Sequence, residues 1–304
     1  MGTPRIGEQI LYLTVCIMGG FGLTTVVACV VARVRGASAR PLAVKYLVWF
    51  AMIPPILLPL VYSRMLFQAV VLLLSLQCVR EFNRVTGLWQ DRPVAWLCYG
   101  LVVGMYVPVF GGWYGLHQAG PMLAVGVLLL VPIARGRYRH MLQTVCLSIL
   151  AVLYFGWFLS HLAYLRDLAH GVACAFYLLV LVACNDAFGY LWGTWLGRHK
   201  LIPRISPSKT IEGAVLASAS VVLMGYLLGR ALPGIDPVAA ALLAVPVAVL
   251  GTCGDLVVSF IKRDVRVKDM GRAIPGHGGI LDRCDSLILT APAFFHVVRY
   301  FVKA

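Results

Sequence analysis

The chain has 304 residues, 61% of them hydrophobic and only 12% charged, with a mean hydropathy of +0.87 and a net charge of +14. Average globular domains carry about 25% charged residues, so a water-soluble domain is excluded and the solvent for most of this surface is lipid. Nine cysteines are scattered with no Cys-x-x-Cys pair, which implies neither disulfides nor zinc, and no basic–aromatic pattern suggests nucleic acid.

A membrane-spanning helix needs roughly 20 apolar residues. Candidate spans fall near 9–31, 46–62, 65–79, 93–111, 121–134, 141–162, 171–192, 213–231, 238–260 and 286–301. The first is too long for the apolar part of a signal peptide and is closed by Arg33 and Arg35, so it is expected to stay uncleaved despite Ala37-Ser38-Ala39. Pro54, Pro55 and Pro59 should break or kink the second. The runs at 65–79, 121–134 and 286–301 are short, so eight to ten spans are expected, in an all-α polytopic fold read as a single integral membrane domain over 1–304.

Charge placement orients the spans. With residue 1 outside and strict alternation, the inside loops are 32–45, 80–92, 135–140, 193–212 and 261–285, and they hold 20 of the 26 Lys and Arg residues. That is the positive-inside pattern. Topology alone accounts for the basic loops before residue 190. Only Glu8, Glu81, Asp91 and Asp167 precede residue 185, and the other acids lie from Asp186 to Asp285. Residues 1–182 therefore read as scaffold, and polar chemistry concentrates in 183–290, with a closing helix over 286–304.

Two polar stretches carry it. The first runs through Asn185, Asp186, Gly189, Gly193 and Gly197 to Ser206-Pro207-Ser208-Lys209-Thr210-Ile211-Glu212-Gly213. Ser206 and Thr210 suit either a substrate loop or the cap of the next helix. Lys209 suits a phosphate, without a Walker A frame around it. Asp186 sits in a span, where an acid is costly and usually functional. The second stretch, Ser259 to Asp285, packs six basic residues, four acids, a His and four glycines into 27 positions. Lys262, Arg263, Lys268 and Arg283 suit phosphate oxygens. Gly278-Gly279 lets backbone amides approach an anion, with His277 beside them. Asp255, Asp282 and Asp285 repel one another unless a cation such as Mg2+ lies between them. Structural ion pairs with Lys262, Arg263 and Arg283 are the alternative.

The second stretch resembles the signature of the phosphatidate cytidylyltransferase, or CDP-diacylglycerol synthase, family. The matching elements are Ser259, Lys262, Arg263, Lys268, Asp269, Gly271, Pro275, His277, Gly278, Gly279, Asp282, Arg283 and Asp285. The first stretch is similar to that family's Ser-Pro-x-Lys-Thr-x-Glu-Gly loop. The resemblance implies a membrane enzyme that joins CTP and phosphatidate into CDP-diacylglycerol and pyrophosphate, with a polar cleft open to the cytoplasm. It implies Mg2+ on Asp255, Asp282 and Asp285, with room for a second cation. Lys209, Lys262, Arg263 and Lys268 are expected on phosphates, with Ser206, Thr210, His277, Gly278, Gly279 and Arg283 also binding substrate. It further implies contact with membrane lipids and a bacterial inner-membrane location, and leaves a homodimer open. Cytidylyl transfer to another lipid phosphate and ion or lipid transport are the competing readings. Against transport, the polar residues gather at one membrane face and no inverted repeat is visible.

Overall fold

The computed structural model describes residues 3–34, 48, 50–139, 141–232, 236–274 and 278–301. Pro275, His277 and Ala37-Ser38-Ala39 lie outside the described residues. Helices α1 (Thr3–Val34), α2 (Pro54–Tyr62), α3 (Arg64–Val85), α4 (Arg92–Gly111), α5 (Tyr114–Ala134), α6 (Met141–Leu165) and α7 (Gly171–Trp195) come first. Strands β1 (Lys200–Ile202) and β2 (Ser206–Thr210) follow, then α8 (Ile211–Ala231), α9 (Pro237–Asp264) and α10 (Leu281–Phe301). Among the described residues, the seven helices α3 to α9 are long and apolar enough to cross a membrane. At 32 and 21 residues, α1 and α10 also have the length. The protein is an all-α polytopic membrane protein. The described residues also include an antiparallel ribbon, Lys200 opposite Thr210 and Ile202 opposite Ser206, where the sequence suggests a plain loop.

The three short runs prove to be full-length helices whose ends are polar. Helix α3 continues from the apolar run through Arg80, Glu81, Asn83 and Arg84 to Val85. Helix α5 begins at Tyr114, ahead of a buried His117 whose Nε2 lies 2.7 Å from Ser160 Oγ. Helix α10 begins at Leu281 and carries Asp282 and Asp285 in its first turns. Glu81, His117, Asp282 and Asp285 interrupt the apolar pattern because each has a partner in the fold. Two of the prolines act as expected, Pro54 and Pro55 restarting the chain as α2, while Pro59 lies inside that helix; Ser63 ends it and caps α3, accepting from Leu66 N at 3.3 Å. Residues Ala151–Phe158 of α6 form a π-helical stretch, which packs against α3, α4 and α10.

Ion pairs between successive connections sort the two ends of the bundle. At one end Arg135, just after α5, binds Asp91, just before α4, at 2.6 Å. Arg64, at the start of α3, binds Asp167, between α6 and α7, at 2.7 Å at the other. The site lies at the first of these ends. It is carried mainly by α7, α8, α9 and α10, which pack on one another. Helix α8 approaches its neighbours through glycines. A Cβ on Gly225 would stand 2.5 Å from Tyr177 Oη and 2.7 Å from Ala244 Cβ, and one on Gly229 would stand 2.6 Å from Ala240 Cβ. Small residues opposing one another let helices touch in lipid, where no hydrophobic effect pulls them together. Tyr177 donates its hydroxyl proton to Ala240 O at the same contact. Gly225→Ala should therefore lower stability by about 1–3 kcal/mol through overpacking. Gly126→Ala, in α5 with open space around it, should leave stability unchanged or raised. Thermal unfolding of the two purified variants in detergent checks the contrast.

Candidate active site

The ribbon brings the first polar stretch against the helices. Thr210 caps α8, accepting from Gly213 N at 3.1 Å. Its hydroxyl sits in a cage of glycines: a Cβ on Gly197 or Gly213 would stand 2.6 or 2.7 Å from Thr210 Oγ1, and one on Gly193 3.3 Å. The glycines after Asp186 thus serve close packing of α7 on the ribbon and α8. Glu212 locks the approach to the ribbon, accepting from Arg198 N at 3.0 Å, His199 N at 3.1 Å and His199 Nδ1 at 2.6 Å. Ser206 is buried where the ribbon turns. Lys209 leaves the ribbon for α9, where its Nζ lies 2.6 Å from Asp255 Oδ2 and donates to Thr252 O at 3.3 Å.

Helices α9 and α10 meet at Gly254. A Cβ there would stand 2.5 Å from Asp285 O and 3.2 Å from Ser286 Cα, so glycine permits the approach that sets Asp255 beside Asp285. Ser259 Oγ donates to Asp255 Oδ1 at 3.1 Å, Ser286 N to Asp285 Oδ1 at 2.8 Å, and Ser286 Oγ to Asp186 Oδ1 at 3.0 Å. Asp186, Asp255 and Asp285 act on one another electrostatically. Lys209 joins this trio through its ion pair with Asp255. The structure therefore brings Asp186, raised in the sequence as a candidate of unclear role, in with two of the three expected acids.

Asp282 is placed differently. It is buried, and its Oδ1 lies 3.0 Å from Lys262 Nζ, while its Oδ2 accepts from Met270 N and Gly279 N, each at 2.9 Å. It thus closes the loop between α9 and α10 onto the start of α10. Ile274 N donates to Gly278 O at 2.9 Å across the same loop. Gly278 has φ +81°, a left-handed conformation that glycine adopts freely. Arg263 Nε donates to Ile205 O at 3.1 Å, tying the end of α9 to the ribbon. Lys268, Arg272 and Arg283 are exposed. His277 lies outside the described residues.

One residue at this site is missed by sequence reasoning. Glu81, buried near the end of α3, accepts from Ile280 N at 3.1 Å and Leu281 N at 2.9 Å. The signal for it is present, because an acid beside an apolar run usually has a specific partner. Assigning 80–92 to a topological loop hides it.

The described geometry defines a class: a polytopic membrane protein with clustered carboxylates, lysines and a glycine-rich loop at one end of its bundle. Residues 43–301 match the model of the cytidylyltransferase family, and the chain belongs to that family. It is 33% identical over 238 residues to the uncharacterized protein YnbB of Escherichia coli strain K12, covering 75% of this chain and 77% of that one. It is 30% identical over 241 residues to the phosphatidate cytidylyltransferase of Staphylococcus haemolyticus, covering 78% and 90%. Against the phosphatidate cytidylyltransferase of Mycobacterium leprae it is 40% identical over 137 residues, covering 45% and 43%.

The two lysines of the signature should separate in their effect on stability. Lys262→Ala leaves Asp282 buried without its cation and should cost about 3 kcal/mol, the low end for breaking a buried pair, because two amide donors remain. Lys268→Ala removes an exposed side chain and should change stability by no more than about 0.5 kcal/mol. Thermal unfolding of both variants is the check, and equal midpoints would rule out the Lys262–Asp282 contact.

Proposed function

We propose that this protein transfers the cytidylyl group of CTP to phosphatidate, forming CDP-diacylglycerol and releasing pyrophosphate. The observation that carries the proposal is the Asp186–Asp255–Asp285 cluster, paired with Lys209 and set beside the basic signature loop. Two polyanions must be brought together in this reaction. The phosphatidate phosphate oxygen attacks the α-phosphorus of CTP in line, a new phosphoanhydride bond forms, and the bond to the β-phosphate breaks. The nucleophile is already ionised, so no general base is needed. Catalysis is then positioning and charge neutralisation.

The acids fit a magnesium ion. The donor set is entirely carboxylate oxygen. Asp186 and Asp285 each have a single oxygen engaged by a hydrogen bond among the described residues. No three potential ligands stand in ligating geometry there, and Mg2+ typically takes only one or two carboxylates, with substrate phosphates and water filling its shell. By that measure Asp285 and Asp186 are the acids best placed to hold it, and Asp255 would join them by releasing Ser259 or Lys209. Asp282 could join them only by releasing Lys262 or its two amides. When bound, the ion neutralises charge on the phosphates. Lys209 orients Asp255 and offers its charge to the same region. Lys262, Arg263, Lys268 and Arg283 provide cations for the phosphates, and Ser206 a hydroxyl. Thr210 holds the ribbon in place for them.

Asp285→Asn should reduce transfer roughly 100- to 1,000-fold, as expected for the loss of a charge-stabilising group, while the protein still inserts and stays monodisperse. Purified protein in detergent with α-labelled CTP and a panel of lipid phosphates measures this. Label in lipid with phosphatidate supports the reading, and label only with a different lipid phosphate would reassign the substrate. No labelled lipid with any of them would refute cytidylyl transfer.

The site is also proposed to face the cytoplasm of a bacterial inner membrane, because the basic loops lie at its end of the bundle. An Arg272→Cys variant with exposed Cys16 and Cys146 replaced by Ser should react with an impermeant maleimide only from the cytoplasmic side. Labelling from outside intact cells would reverse the orientation.

A further inference from the structure

We infer that Glu81 is the positioning residue of the signature loop: from α3, its carboxylate fixes the start of α10 and hence the places of Asp282 and Asp285. The contact stands on geometry alone. Its catalytic consequence rests on the cytidylyl-transfer reading above.

Three observations support it. The first is the clamp itself. Glu81 Oε1 accepts from Ile280 N at 3.1 Å and Oε2 from Leu281 N at 2.9 Å, while Gln77 Nε2 donates to Oε1 at 2.9 Å. Leu281 opens α10, so these amides belong to a helix start, which has no backbone acceptors of its own and favours negative charge. One carboxylate holding two consecutive amides fixes both the position and the rotation of the first turn. Asp282 is the next residue, and Asp285 lies one turn on.

The second observation is the reason for Gly271. Its φ is not positive, so the backbone does not demand glycine. A Cβ there would have Glu81 Cδ and Oε1 at 2.6 Å and Cγ at 3.0 Å as its three nearest neighbours. The room at Gly271 is room for Glu81. Gly279 also faces the carboxylate, with Glu81 Oε2 and Cδ its nearest contacts.

The third is that three consecutive loop amides are already taken. Gly279 N bonds Asp282, and Ile280 N and Leu281 N bond Glu81. Of the Gly278-Gly279 amides that the sequence suggests for an anion, that of Gly279 bonds the Asp282 carboxylate. The glycine-rich turn is built around Glu81 and Asp282.

The test uses the full chain in detergent. Glu81→Gln keeps the size of the side chain but turns an NH2 group toward an amide donor. It should lower kcat about 10- to 100-fold, the scale of a small misplacement of reacting groups, with the KM for CTP within about threefold. It should also raise the maleimide labelling rate of Arg272→Cys several-fold, a readout that needs no turnover. Gly271→Ala alone should lower kcat on the same scale, and in a Glu81→Ala background its added effect should shrink to less than about twofold, since the two positions then no longer collide. Glu81→Gln with kcat and labelling both within about twofold of the parent would overturn the proposal. So would a Gly271→Ala penalty that is equal in both backgrounds. If the Glu81 variants do not accumulate folded, the labelling rate of Arg272→Cys with Gly271→Ala decides: an increase supports the clamp and no change sinks it. Should the parent protein show no transfer at all, labelling and thermal coupling between positions 81 and 271 still test the clamp, so its failure is distinguishable from failure of the functional reading.

Discussion

Buried carboxylates answered by backbone N–H groups organise the functional end of this bundle. Near lipid, a charged oxygen without donors is costly, and a helix start has donors without acceptors. Glu81 and Asp282 join these two requirements at one place. Together they take the amides of Met270, Gly279, Ile280 and Leu281, and the loop between α9 and α10 closes on them. Hydrogen bonds with a charged partner contribute roughly 1.5–3 kcal/mol each, so this end of the fold is held by a few strong directed contacts.

The acids then divide by depth. Asp282 and Asp285 are three residues apart on one helix, yet they belong to different networks. Asp282 lies in the first turn and faces the loop and Lys262. Asp285, one turn further in, lies against α9, where Gly254 lets the helices touch. Its surroundings include Asp186 and Asp255, and repulsion among the three is reduced by Lys209, which reaches in from the ribbon. Neighbouring copies of the same residue type thus serve two different networks.

Much of this was legible in the chain. Apolar runs revealed the helices, the bias of Lys and Arg revealed one end of the bundle, and the two polar stretches marked the residues that gather there. What stayed hidden depends on tertiary contact. The apolar run of α3 ends at Val79 because Arg80 and Glu81 follow, yet Glu81 is inside the fold, bound to residues 199 and 200 positions away. Nothing in a local window connects it to Gly271. The ribbon contains Pro203 and Pro207, which argue against strands. It forms because Thr210 fits among Gly193, Gly197 and Gly213. Serine and threonine as helix caps were a fair alternative for that segment, and Thr210 takes that role while Lys209 beside it turns to the acids.

The span between Glu81 and its partners also has a meaning in time. A chain is made from its N-terminus, so α3 enters the membrane long before Ile280 and Leu281 exist. Until they arrive, the Glu81 carboxylate has Gln77 but lacks the amides that answer it. Assembly of the site is therefore deferred until α10 docks, and the early helices wait with an acid that only late-made residues can satisfy. A chain that ends before α10 would keep that charged end open, with Glu81 answered by Gln77 alone among these partners.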